Sequence, residues 1–195
     1  MLRRSASSDK SFGYLTAVET VEFGYFGGFL IVSSLGRPLE FHCTAPIQPS
    51  RAQRILYGPT LASYLLGEQI CGALSGVAKL SPELILTDCE VALHARSRFA
   101  VPMALVQADE RIEISGELPR SAGASRPIVA GFFTIGHNRF RLPDGHESEQ
   151  RTVEEAVALL AQRVELLEPF GRIREAISEA QRVGGRGTDA NDQAA

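Results

Sequence analysis

The chain has no tryptophan, two methionines, three cysteines and little excess of charge, with 20 lysines and arginines against 23 aspartates and glutamates. Each shortage excludes something. Cys43, Cys71 and Cys89 are odd in number and widely spaced, so no disulfide framework is implied, and a reducing compartment, by default the cytoplasm, is expected. Apolar runs are short: Phe29 to Val32 and Ala156 to Ala161 are the longest, far below the roughly 20 residues that cross a bilayer. A membrane is therefore not an expected partner. The first ten residues hold Arg3, Arg4 and several serines without an apolar stretch, so no secretory signal is expected.

The net charge of −3 lacks the clustered basic excess that phosphate binding usually needs. Arginines come in pairs, Arg51 with Arg54 and Arg139 with Arg141, rather than in a stripe. Nucleic acid is accordingly not an expected partner. Gly24, Gly27 and Gly28 precede a strand instead of opening a helix, and no Lys-Ser or Lys-Thr pair follows, so a nucleotide loop fails on context. No cofactor is expected.

What is present is the patterning of a folded domain, 44% hydrophobic and long enough to bury a core unaided. Tails are expected at 1–11 and 184–195, polar or glycine-rich with little to bury, around one domain spanning 12–183. Three strands are expected at Tyr14 to Phe23, Phe26 to Ser33 and Pro38 to Ala45, with the early glycines marking a turn and a bulge. In the third, Leu39, Phe41 and Cys43 alternate with Glu40, His42 and Thr44, which predicts an inward Phe41 and an outward Glu40. Ser50 and Gln53 form a capping-box pattern that opens a helix, broken near Pro59 and resumed with Ala62, Leu66, Ile70, Ala73 and Val77 on one face. Further strands are expected at Leu84 to Ala95, Phe99 to Val106, Arg111 to Gly116, Ile128 to Ile135 and Arg139 to Leu142. Thr152 and Glu155 repeat the capping-box pattern before a helix, and Pro169 with Gly171 divides it from a last one. The fold class read from this order is α+β: an antiparallel sheet of about 6 to 8 strands, a central helix after the first hairpin, and a C-terminal helical pair packed on the sheet.

Two functional readings follow. In the first, the chain is a non-enzymatic interaction or scaffold module, self-associating or receiving a protein partner through a sheet edge or its C-terminal helix. Arg51, Arg54 and Tyr57 on the broken helix, with Ile173 and Ile177 on the last one, would form its surface, since rigid aromatic and arginine groups favour interfaces. The alternative is a metal-dependent hydrolase. Asp88, Glu90 and His94 share a face if 84–95 is a strand, as do Glu40 and His42 on theirs, and together they make a ligand set for Zn, Mn or Fe. Face alternation alone also produces polar rows. The cysteines all fall on apolar faces, which predicts three buried thiols.

Overall fold

The computed structural model describes residues 10–21, 24–109 and 131–188. The expected strand at 111–116 lies outside them, as do most of the two tails. The architecture is α+β, with a mixed sheet among the described residues: β1 (Ser11–Thr20), β2 (Gly24–Ser33), β3 (Pro38–Cys43), β4 (Leu84–Thr87), β5 (Met103–Ala108), β6 (Phe132–Ile135) and β7 (Asn138–Arg141). Their spatial order is β3-β2-β1-β4-β5-β7-β6.

The first three strands form a meander, as the turn chemistry requires. Gly36 takes φ 74°, and the Ser33 hydroxyl accepts from the backbone N–H of Leu35 and Arg37 at 3.3 Å each. The all-antiparallel expectation is corrected at β4, which runs parallel to both β1 and β5. A parallel return needs a long crossover. Residues 44–83 supply it with α1 (Arg51–Tyr57), a 3-10 turn at Gly58–Thr60, a π-helical stretch at Ser63–Ile70 and α2 (Cys71–Val77). The Ser50 and Gln53 capping box forms with both of its bonds, and Gly58 with Pro59 breaks the helix as expected.

Helices cover both faces of the sheet. On one, Leu65, Ile70 and Leu74 pack against Leu15, Phe29, Ile31 and Ile85. On the other, α3 (Gln150–Leu160) and α4 (Glu168–Thr188) set Val153, Val157, Phe170, Ile173 and Ile177 against Phe12, Tyr14, Leu30 and Leu86. The central strands are therefore buried on both sides, and β4 is buried at every position.

Gly27 and Gly28 pair regularly with Ala17 and Thr16, and the register shift in β2 lies at Ile31 and Val32 instead. These glycines serve close packing rather than a bulge. A Cβ at Gly27 would lie 2.4 Å from Ile70 Cγ2, and one at Gly28 would lie 2.4 Å from Ile173 Cγ2 on the opposite face.

Other expectations shift with this layering. Leu84 to Ala95 is not one strand: β4 stops at Thr87, and Glu90–Arg98 forms 3-10 turns. Thr87 Oγ1 accepts from the Cys89 N–H at 3.2 Å and turns the chain out of the sheet. Helix α3 begins at Gln150 without a side-chain cap, so Thr152 lies inside it. Pro169 sits in the first turn of α4, where a missing N–H costs nothing, and it starts a helix instead of dividing one. Among the described residues no helix is long and apolar enough to cross a membrane.

Candidate functional site

β4 is the short strand at the centre of the sheet. Its last residue, Thr87, pairs with Leu15 of β1 and Leu105 of β5. β1 continues to Thr20 and β5 to Ala108, so β4 ends short of both neighbours and leaves a notch in the hydrogen-bonded ladder above Thr87. It adjoins β1, which has an antiparallel neighbour on one side and a parallel neighbour on the other. Open α/β sheets hold ligands beyond the carboxyl ends of their parallel strands.

Asp88 is the first residue in the notch. Thr16, wholly buried, donates from Oγ1 to Asp88 Oδ1 at 2.7 Å. Arg174 of α4 donates from Nη2 to Asp88 Oδ2. The three side chains form a relay from the core to the surface: Thr16 is fixed by the β1 ladder, the Asp88 side chain is 16% exposed, and that of Arg174 is 47% exposed. A guanidinium carries five N–H donors, so one ion pair leaves donors on its outer edge.

A second polar cluster lies on the other side of the strand end. Glu90, His94, Arg96, Arg141, Asp144 and His146 line a cleft of about 360 Å³. Arg141 pairs with Glu90. Arg96 makes a forked pair with Glu149, Nη2 to Oε1 at 2.5 Å and Nε to Oε2 at 3.2 Å, and also donates to the Phe99 carbonyl at 2.7 Å. His146 Nδ1 lies 3.2 Å from the same Glu149 carboxylate. Burial pushes the Glu149 carboxyl up, but the hydrogen bonds from Arg96 and His146 outweigh it and hold the group below its ordinary range. This network ties the 3-10 turns after β4 to the start of α3.

The structure divides the residues proposed as metal ligands. Glu40 and His42 meet at 2.6 Å on β3, but β2 and β1 lie between β3 and β4, a separation of about 14 Å at the usual strand spacing. Glu40 instead accepts from the backbone N–H of Lys79 at 2.8 Å and Leu80 at 2.9 Å, locking the edge strand to the segment after α2. The His42 hydrogen bond, then these backbone bonds, hold its carboxyl down at about 2. Asp88 faces Arg174, whereas Glu90 and His94 sit on the 3-10 turns. Among the described residues no three His, Cys, Asp or Glu side chains gather as a metal site.

The expected interaction surface divides too. Arg51 and Arg54 are exposed on α1, which buries none of its residues, and Tyr57 stacks on Tyr64 with ring centroids 4.4 Å apart. Ile173 and Ile177 are 1% and 2% exposed. They are core residues that hold α4 on the sheet, not a surface. Cys71 is buried, and burial pushes its thiol up to about 12; Cys89 is half-buried and shifted up for the same reason, while Cys43 is exposed. The inward reading of β3 is corrected by Cys43 and by Phe41, 38% exposed.

Sequence reasoning missed Thr16 and Arg174. Thr16 had a signal, as the one polar residue in the alternating row Phe12, Tyr14, Thr16, Val18. Arg174 had none, because its partner is 86 residues away.

No family model matches the chain, and no curated protein matches it. Solved structures of endonuclease V do. The Bacillus subtilis enzyme is 13% identical with a TM-score of 0.40, over 51% of this chain and 45% of that one. Two Ciona intestinalis structures hold DNA containing an inosine followed by a ribo-adenosine. With a 23mer the identity is 13% and the TM-score 0.34, over 51% and 46% of the chains; with a 24mer they are 10% and 0.42, over 76% and 78%. In the first two of these matches the chain spans less than half the length of the other chain.

The expectations of a protein-interaction module and of no nucleic-acid partner find no counterpart among these structures, which are of nucleases, two of them holding DNA. Net charge averages the whole surface. Phosphate contact depends on local cations, and Arg174 stands at Asp88 and Arg141 at Glu90, two acidic residues that follow β4.

Proposed function

We propose that this chain binds nucleic acid, with a phosphodiester backbone lying across the carboxyl ends of the central strands and Arg174 as its main phosphate contact. The relay from Thr16 through Asp88 to Arg174 carries the reading. It presents a guanidinium already fixed in direction at the mouth of a notch, and arginine binds phosphate oxygens through paired N–H donors. Arg141, held by Glu90, places a second guanidinium on the other side of the strand end. A polymer with regularly spaced charge can use both positions, whereas a free phosphate uses one. The free thiols support a reducing, cytoplasmic setting.

Fluorescence anisotropy with labelled single-stranded and double-stranded DNA and RNA tests this. The wild-type protein is expected to bind at least one of these at low salt and to weaken as salt rises. Arg174→Gln should weaken binding and flatten the log–log salt slope by about one, the effect of losing a single phosphate contact. Glu40→Gln, on the far edge of the sheet, should leave binding unchanged. Equal affinity for Arg174→Gln and wild type would refute the assignment.

A further inference from the structure

We infer that Arg174 takes the position at Asp88 that a divalent cation would occupy, so that the notch recognises a phosphodiester without metal and does not cleave it. The inference rests on the nucleic-acid reading above and concerns what the site does with its ligand.

Metal-assisted phosphodiester cleavage commonly uses two ions about 3.5–4 Å apart, clamping the attacking and leaving oxygens. Even a single Mg²⁺ is normally held by one or two carboxylates together with substrate phosphates. The donor set here does not fit either arrangement. At the end of β4 stands Asp88, and both of its oxygens are engaged, Oδ1 by the buried Thr16 hydroxyl and Oδ2 by Arg174. The next carboxylate along the chain, Glu90, is turned to Arg141. Glu149 is held by Arg96 and His146. No group of three ligating side chains exists among the described residues.

Charge balance gives the positive side of the argument. A carboxylate beside a phosphate repels it unless a cation bridges the two. Arg174 supplies that bridge from within the chain, with Nη2 on Asp88 and its outer donors toward the ligand. Thr16 contributes a hydrogen bond at the remaining oxygen in place of a second carboxylate.

The test compares one labelled oligonucleotide, of a type the wild-type protein binds, in EDTA, in MgCl₂ and in MnCl₂. Each sample is read by anisotropy and then run on a denaturing gel. Wild-type affinity should be the same in all three buffers, with the oligonucleotide intact. Arg174→Gln, which leaves Asp88 without its cation, should bind more weakly in EDTA and recover part of the loss with Mg²⁺. Wild-type binding that vanishes in EDTA, or metal-dependent cleavage that disappears in Asp88→Asn, would overturn the inference while leaving the nucleic-acid reading intact. A wild-type protein that binds nothing in any buffer would remove both. The wild-type comparison depends on no variant folding correctly.

Discussion

Gly28→Ala probes the packing that holds α4, and with it Arg174, against the sheet. The added Cβ would lie 2.4 Å from Ile173 Cγ2 and 3.1 Å from Ile177 Cδ1, where carbon pairs prefer about 3.5–4.0 Å. Ile173 is 1% exposed, and its Cγ2 is fixed on a β-branched carbon, so it cannot swing away as a long side chain would. The helix must lift or the side chain leave its rotamer, and such overpacking costs about 1–3 kcal/mol. Replacing glycine within a strand returns about 0.5–1 kcal/mol, so the net expectation is a loss of roughly 1–2 kcal/mol. Gly76→Ala is the matched control. A Cβ there meets nothing within 4 Å and sits in α2, so that variant should be neutral or slightly stabilised. Ile173→Ala alone should cost about 2–5 kcal/mol, and the double variant with Gly28→Ala should cost less than the two losses added, because the new methyl occupies vacated space. Urea denaturation followed by circular dichroism reads all four proteins. A Gly28→Ala protein as stable as wild type, or strict additivity in the double variant, would refute the close approach of α4 to β2.

Glu40 has a carboxyl held down at about 2 from its ordinary 4.5. A lowered carboxylate stabilises the folded state above its unfolded pKa, and that contribution is lost as pH falls through the folded value. Glu40→Gln should therefore be less stable than wild type near neutrality, with the difference closing between about 4.5 and about 2. An acid titration of the denaturation midpoint checks this, and a gap that persists below that window would contradict it. Thiol titration of the native protein should label Cys43 rapidly, Cys89 slowly and Cys71 only after denaturation, in line with their exposures. Mass-spectrometric mapping assigns each site, and early labelling of Cys71 would place the helix over that face wrongly. Phe140→Ala, at a fully buried position, should cost about 3–5 kcal/mol. Phe41→Ala should cost clearly less, and denaturation showing the reverse order would invert the register of β3.

Some local rules transferred to this chain, and the long-range arrangement did not. The capping box at Ser50 and Gln53 and the break at Pro59 involve neighbours within a turn, and both form. The hairpin of β6 and β7 closes around Gly136 at φ 60°. The alternation of Leu39, Phe41 and Cys43 pointed the wrong way because β3 is an edge strand, where Glu40 turns to the backbone N–H groups of Lys79 and Leu80 and leaves the apolar row exposed. The stretch from Leu84 to Ala95 looked like one strand because its 3-10 turns still bury Ala92, Leu93 and Ala95. The candidate site was less legible than the fold. Asp88 was legible only as part of a polar row on a strand expected to run to Ala95, and its partners come from β1 and α4, far from it in sequence.

The central claim is that nucleic acid is held at the notch beside β4. The most direct measurement is a titration of the isotope-labelled protein with an oligonucleotide, following backbone amide shifts by NMR. The account predicts the largest shifts at Thr16, Asp88, Cys89 and Arg174, with smaller ones along the turns that carry Glu90 and His94. Shifts concentrated on β3 or α1, with the notch amides unmoved, would contradict it.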